Sequence, residues 1–592
     1  MNIKNIIKIN IVAPALYILA FAIYKIDIDN ILLQTPLMAV SFLLIFLVGI
    51  NLTYLEQQLF RLRLDFWTFT SLGLLNSLLL FPLINSVTFL LIRNVSYSAV
   101  LVICFSALLI PFVWPRLNSL IFHRPITSTK LTPERSIKTL KIFTHPVTLA
   151  IILILSVHII NTNMYVFLPA PDSYSWLSRY ENIHHEATKF TDGYDRITLA
   201  SLTGIINRLS RIRLFTLFKF IYPLLSVVTV FPLWLLARRL KTYPGQLLIL
   251  LSSFLCPAII YELEITRQQI LFLISLLFFI PLLCEAKHKN SHSLFLITGF
   301  FSALGSFAHP LFNMLTIFWL LSFVIFYWNK LVRLKTIPVI LVSFFILWKY
   351  GLRSMLTRIR SQAIIALENI AEGEHNFKFP AHFVNVDNNE VGWAGLTGVM
   401  KYYGFYLGPL GALILFIFAL LLIFNKKFRR SALKALFSPY TLPISLLILF
   451  FLSVAEVFPR FVNIAYLPER SLQYFTLSLV FLTFLILKKI NRVKLWRTIL
   501  PIVGLLALSI NVAGASYINH LNTYVFPDYE WQAMDWIKNN LPPNRIIFSR
   551  TSGNLISFHS QSRREAVWHR YLTNASPDEL IGFIKEELVP PD

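Results

Sequence analysis

Residues 146–168 read PVTLAIILILSVHIINTNMYVFL, and 169–174 continue PAPDSY. The first stretch carries no Asp, Glu, Lys or Arg, and as a helix it is long enough to cross the ~30 Å hydrocarbon core of a bilayer. Asp172 follows just beyond its end, where a polar surface begins. Similar apolar runs recur near 6–24, 33–53, 67–90, 97–114, 214–236, 246–261, 269–283, 294–308, 311–328, 336–352, 403–424, 440–457, 472–487 and 498–516. With 146–168 they make about fifteen candidate spans. The fold class expected is an all-α polytopic membrane protein with a small external α/β C-terminal appendage.

Composition agrees. Of 592 residues, 56% are hydrophobic and only 14% charged, against about 25% in a soluble chain. The mean hydropathy is +0.65. These values exclude a soluble multidomain enzyme, a disordered chain and a nucleic-acid binder. The net charge of +24 comes from 53 Lys and Arg against 29 Asp and Glu, and the cations sit in short segments between apolar runs. Insertion biases Lys and Arg to cytoplasmic loops, which accounts for the excess. Cys104, Cys256 and Cys284 have neither metal-like nor disulfide-framework spacing.

Charge also sets an expected topology. Arg61/Arg63, Arg116 through Lys141, Arg238-Arg239, Lys287/Lys289, Lys330 through Lys335, Lys426 through Arg430 and Lys488 through Arg497 all fall on one side if every run spans. The expectation is a multi-pass cell-membrane protein with a cytoplasmic N-terminus and an extracytoplasmic C-terminus. Loops 169–213 and 353–402 and the tail 517–592 then lie outside. In the tail, Asp528 heads a helix ending near Pro542-Pro543, Arg545–Arg550 reads as a short strand, and a second helix falls near 577–588.

Several outer positions could carry chemistry. Asp172 is either a general base for an acceptor hydroxyl or an N-cap after proline. After it, Tyr174–Tyr180 and Leu199–Leu209 have the spacing of amphipathic helices lying in the interface. Glu262 and Glu264 fall in the segment Tyr261–Arg267, read as a tight turn at the membrane surface. They either bind Mg²⁺ or Mn²⁺ together with Asp172, since hard cations take oxygen ligands, or pair with Arg267 in a wet turn. His309-Pro310 breaks the stretch 294–328, and His309 either orients a phosphate or is a plain turn residue. Glu456, Arg460, Glu469 and Arg470 lie at outer helix ends, where Arg suits a phosphate and Glu456–Arg460 also fits an i, i+4 bridge. The loop 353–402, with Asp387 through Trp393, is a candidate lid.

This arrangement resembles the GT-C superfamily of membrane glycosyltransferases, which use polyprenyl-phosphate-linked sugars outside the cytoplasm. Residues 146–352 look like its shared seven-helix module. The likeness rests on the long loop 169–213, on Asp172 directly after the module's first span, and on Glu262/Glu264 in the second outer loop, similar to DxD/ExD motifs. On that layout 1–145 is an N-terminal four-helix region with a basic cytoplasmic loop, 353–402 an external loop, 403–516 further transmembrane helices and 517–592 an external domain. The resemblance implies that Asp172 is the catalytic base or a metal contact and that Glu262 and Glu264 assist it. It implies that Arg460 or Arg470 holds the lipid phosphate, with His309 and Arg267 as further phosphate-binding candidates. The chain departs from the superfamily in lacking a WWDYG-like run, in carrying ExE, and in the added helices of 1–145.

The function expected is sugar transfer from a polyprenyl-phosphate-linked donor to an extracytoplasmic acceptor, which is a glycan, a lipid or a protein. Membrane lipids are the other expected partner, and nucleic acid is not one. The alternatives are a lipid-linked saccharide transporter or flippase, and a non-catalytic membrane assembly protein. A transporter would call for a polar path at membrane depth and, usually, repeat symmetry; the mid-span regions carry few charges, with Lys219 and Lys349 near helix ends, and no convincing inverted repeat occurs.

Overall fold

The computed structural model describes residues 3–26, 31–60, 62, 64–85, 97–114, 145–163, 197–264, 269–330, 336–349, 402–458, 468–489 and 496–521, with isolated positions at 360, 532, 536, 539–540, 547–548 and 566–567. The described chain is overwhelmingly helical. Six of its helices are long and apolar enough to cross a membrane, and further apolar helices are shorter.

In chain order the helices are α1 (Ile3–Tyr24), α2 (Ile31–Leu59), α3 (Phe66–Asn85), α4 (Tyr97–Leu108), α5 (Pro146–Asn163) and α6 (Ile197–Ser210). There follow α7 (Leu214–Ala237), α8 (Tyr243–Leu250), α9 (Pro257–Glu264), α10 (Gln269–His288), α11 (His292–Gly305) and α12 (Leu311–Tyr327). The last are α13 (Thr336–Leu347), α14 (Gly408–Phe424), α15 (Lys426–Leu436), α16 (Leu442–Leu452), α17 (Pro468–Lys489) and α18 (Trp496–Leu521). In the C-terminal region, β1 (Ile547–Phe548) pairs in parallel with β2 (Ala566–Val567), Ile547 opposite Ala566. The first of these falls inside the strand expected at 545–550. The helices expected after Asp528 and near 577–588 lie largely or wholly outside the described residues.

Helix α10 is the axis of the bundle. It is apolar all round, so every face must be covered. Accordingly, each residue from Gln269 to Ala286 is buried. Helices α7, α11 and α16 pack against it. Its 20 residues rise about 30 Å, so its two ends are one hydrocarbon thickness apart.

Its C-terminal end carries a network of charges. The buried Glu285 takes Arg238 at 3.3 Å, Arg239 at 3.0 Å and Lys289 at 3.0 Å. Arg238 and Lys289 also reach Asp65, at 3.1 and 2.9 Å. Asp65 in turn caps α3 through the Thr68 amide, at 2.9 Å. Although desolvation raises its affinity for a proton, the Thr68 amide, Lys289 and Arg238 together hold the Asp65 carboxyl below the usual carboxylate range. The Tyr440 ring closes the network beneath Arg239, 5.1 Å away. Two of the cationic segments that the sequence reading put on one side, Arg238-Arg239 and Lys287/Lys289, thus meet at this end of α10.

The N-terminal helices are tied to the loop helix α6. Tyr17 Oη donates to the Leu209 carbonyl at 3.0 Å, and Asn85 Nδ2 to Ser201 Oγ at 2.9 Å. Leu199, Leu202, Ile206 and Leu209 are buried, and α6 packs on α2 and α4. A helix was expected at 199–209 with its apolar face in the lipid interface. The helix is present, but that face is spent on the protein itself. Helices α2 and α3 cross closely at Gly49 and Gly73, where a Cβ on Gly49 would overlap the Gly73 carbonyl.

Candidate functional site at the N-terminal end of the central helix

The run 246–261 is not a continuous helix. Helix α8 stops at Leu250, a single 3₁₀ turn covers Ser252–Phe254, and α9 restarts at Pro257. Proline at the first helical position needs no amide partner, but the carbonyls before it do. Asn511 of α18 supplies them: its Nδ2 donates to the Phe254 and Leu255 carbonyls at 3.1 and 2.7 Å. Gly408, at φ +66°, opens α14 against the same break, where a Cβ would come within 2.9 Å of the Leu255 oxygen. An interrupted helix is tolerated in a buried apolar setting when its freed groups are satisfied in this way.

The break determines where the two acidic residues go. Both Glu262 and Glu264 lie on the last turn of α9, not in the surface turn expected for 261–267. Two positions apart on an α-helix means about 200° of rotation, so the carboxylates face different neighbours. Glu264 is buried at 1% exposure. It accepts from Asn161 Nδ2 of α5 at 2.6 Å, and Asn161 Oδ1 accepts from Ser516 Oγ of α18 at 2.6 Å. His158, one turn before Asn161, places Nδ1 3.7 Å from the same Glu264 oxygen.

Glu262 is only partly buried and turns toward the start of α10. Hydrogen bonding orients the Gln269 amide so that its nitrogen donates to Glu262 Oε2 while its oxygen faces the Arg470 guanidinium, meeting Nη1, Nη2 at 2.6 Å and Nε at 3.2 Å. Gln269 is therefore the bridge between an acid on α9 and a cation on α17. His309 lies in the turn between α11 and α12, where the break was expected, but it is buried at 8% exposure and not at the surface. Burial, then the neighbouring Arg470 charge, pushes its imidazole down to about 3. Its Nδ1 accepts from the Leu311 amide at 3.2 Å, which leaves Nε2 as the ring N–H donor. Phe272 and Tyr474, with ring centroids 5.0 Å apart, form the apolar floor beneath this group.

Glu456 lies in a π-turn that ends the helix begun by α16 and accepts from Tyr403 Oη at 2.9 Å. Its expected partner Arg460 lies outside the described residues, as do Asp172, Arg267, Tyr174–Tyr180 and all of loop 353–402 except positions 360 and 402. Glu262, His309 and Arg470 are brought together, whereas Glu264 belongs to a separate buried cluster. Sequence reasoning missed Gln269, Asn161, His158, Ser516 and Tyr403. One signal was available: His158, Asn161 and Thr162 stand at i, i+3 and i+4, one polar face on an apolar helix.

The expected Mg²⁺ or Mn²⁺ site has Asp172 as a ligand, which lies outside the described residues; of its other two ligands, Glu264 accepts from Asn161 through Oε1. Among the described residues no three His, Cys, Asp or Glu side chains gather as metal ligands. What the arrangement offers chemically is a half-buried carboxylate, a fixed guanidinium and an imidazole N–H donor. Compared with known proteins, the chain matches no family model and no curated protein sequence.

Proposed function

We propose that this chain is a membrane glycosyltransferase that transfers a sugar from a polyprenyl-phosphate-linked donor to an acceptor on the extracytoplasmic side. The observation that supports it is the meeting of Glu262, Gln269, His309 and Arg470, from four separate segments, at the end of α10 opposite the Arg238–Glu285–Lys289 network. On this reading all fifteen runs are spans, the basic end is cytoplasmic and residues 517–592 form an external α/β appendage.

In the proposed reaction Arg470 takes the donor phosphate in a charge-assisted fork, and the neutral His309 donates Nε2–H to it. A carboxylate, Asp172 first and Glu262 second, removes the acceptor hydroxyl proton. The acceptor oxygen bonds to the anomeric carbon as the bond from that carbon to the phosphate oxygen breaks. The electron pair leaves with the polyprenyl phosphate, whose charge Arg470 already faces. No step is routed through Mg²⁺ or Mn²⁺.

The test is turnover of a panel of polyprenyl-phosphate and polyprenyl-diphosphate sugars by membranes carrying wild type, Asp172→Asn or Glu262→Gln. Turnover of one donor that disappears in Asp172→Asn supports the reading and identifies the base. Turnover lost only in Glu262→Gln moves the base to Glu262.

A second reading, a flippase for lipid-linked saccharide, is favoured by one observation: the buried helix break at 251–256, of the kind transporters use at substrate sites. No turnover of any donor by folded protein, together with transbilayer movement of one of them, would replace the first reading with the second.

A further inference from the structure

Helix α14 ends at Asn425, and the chain then turns through 111° into α15. Asn425 caps the new helix by accepting from the Phe428 amide at 2.9 Å. One face of α15 is buried: Phe428, Ala432 and Ala435 pack toward α14 and α17, with Phe428 edge-on to Phe418 at 5.6 Å. The other face exposes Lys426, Arg429, Arg430 and Lys434. No Asp or Glu occurs between 425 and 438, and among the described residues none of the four cations forms an ion pair. Beside them stand exposed apolar side chains: Phe424 at 80%, Leu433 at 48% and Phe437 at 71%.

Two requirements meet on this surface. The cations call for anions, and the flanking rings call for a medium without water. An acidic soluble protein or a free anion satisfies the first and leaves Phe424 and Phe437 wet. The headgroup boundary of a bilayer satisfies both, because a helix lying nearly across a spanning helix puts its cations at phosphate level and its apolar side chains among the acyl chains. Tyr440, four residues beyond α15, packs under Arg239, so the helix sits at the basic end of the bundle. We propose that α15 binds anionic phospholipid headgroups of the leaflet at that end. This rests on the charge and exposure of α15 and not on the glycosyltransferase reading.

The test is lipid retention. Full-length protein is extracted from vesicles of phosphatidylcholine and phosphatidylglycerol in equal parts, and the lipids it keeps are identified by native mass spectrometry. Wild type is expected to retain phosphatidylglycerol preferentially, with each neutralised cation lowering the preference about fivefold. R429Q/R430Q/K434Q is expected to show no preference, R429K/R430K to keep it, and F437S to retain less of both lipids. Should the triple variant fail to fold, the single variant R430Q reads the same effect at one step. Unchanged phosphatidylglycerol preference in the folded triple variant overturns the proposal. So does loss of wild-type preference on adding free glycerol phosphate, which would mark a soluble-anion site.

Discussion

Asn161 Nδ2 donates to Glu264 Oε1 across 2.6 Å and so joins α5 to α9 over 103 positions of chain. The bond fixes the C-terminal end of α5. It also sets the rotation of α9, and thereby aims Glu262 at Gln269. Glu264, which the sequence pairs with Glu262, is thus an anchor between α5 and α9.

Glu264→Leu leaves the buried Asn161 amide without its acceptor and removes the carboxylate that stands 3.7 Å from His158. The expected cost is about 2–4 kcal/mol of stability. Glu262→Gln keeps a hydrogen-bonding side chain in a partly open site and is expected to cost under about 1 kcal/mol. Thermal unfolding of the two variants in detergent makes the comparison, and equal losses would contradict the separate roles.

Arg470→Lys keeps the charge but not the planar guanidinium that faces the Gln269 oxygen. On the proposed function, donor turnover should fall about 10- to 100-fold with Tm little changed. Full activity in the lysine variant would remove Arg470 from the phosphate site.

His309 gives stability a definite pH dependence. Its imidazole titrates at about 3 in the folded chain, against about 6.5 when exposed. The unfolded chain therefore binds the extra proton between those values, and stability is full above about pH 6.5 and declines as pH falls toward 3. The loss by pH 5 is roughly 2 kcal/mol. His309→Gln should flatten the change in Tm between pH 7 and pH 5, and an unchanged slope would count against the buried neutral imidazole.

At the opposite end, Glu285 is the buried counter-charge of Arg238, Arg239 and Lys289. Glu285→Gln leaves Arg239 without its carboxylate and Arg238 and Lys289 with Asp65 alone, an expected loss of about 1–3 kcal/mol. High salt should recover part of it by screening the exposed sides of the cations. Stability insensitive to the substitution would mean that the network does not join the helices.

The membrane class, the apolar runs and the break at His309-Pro310 were legible because they are properties of neighbouring residues: hydropathy, helical rise and proline geometry act along the chain. The gathering of Arg238, Arg239 and Lys289 at one end was foreshadowed by charge bias alone. Hydropathy also found the segment 246–261 but passed over its break, because the partner that makes the break tolerable, Asn511, lies more than 250 positions away. The same limit applied to Glu262 and Glu264. Side by side in sequence they read as a pair, and the helix that carries them turns them apart.

By itself, then, the sequence determined that the chain is built of apolar helices separated by cationic and acidic ends, since burial in a medium without water constrains each segment separately. Only the tertiary structure decided which polar groups meet: Gln269 between Glu262 and Arg470, Asn161 between Glu264 and Ser516, and α6 held on the N-terminal helices. A buried polar group must find a partner, and which partner is within 3 Å depends on how helices distant in sequence pack together.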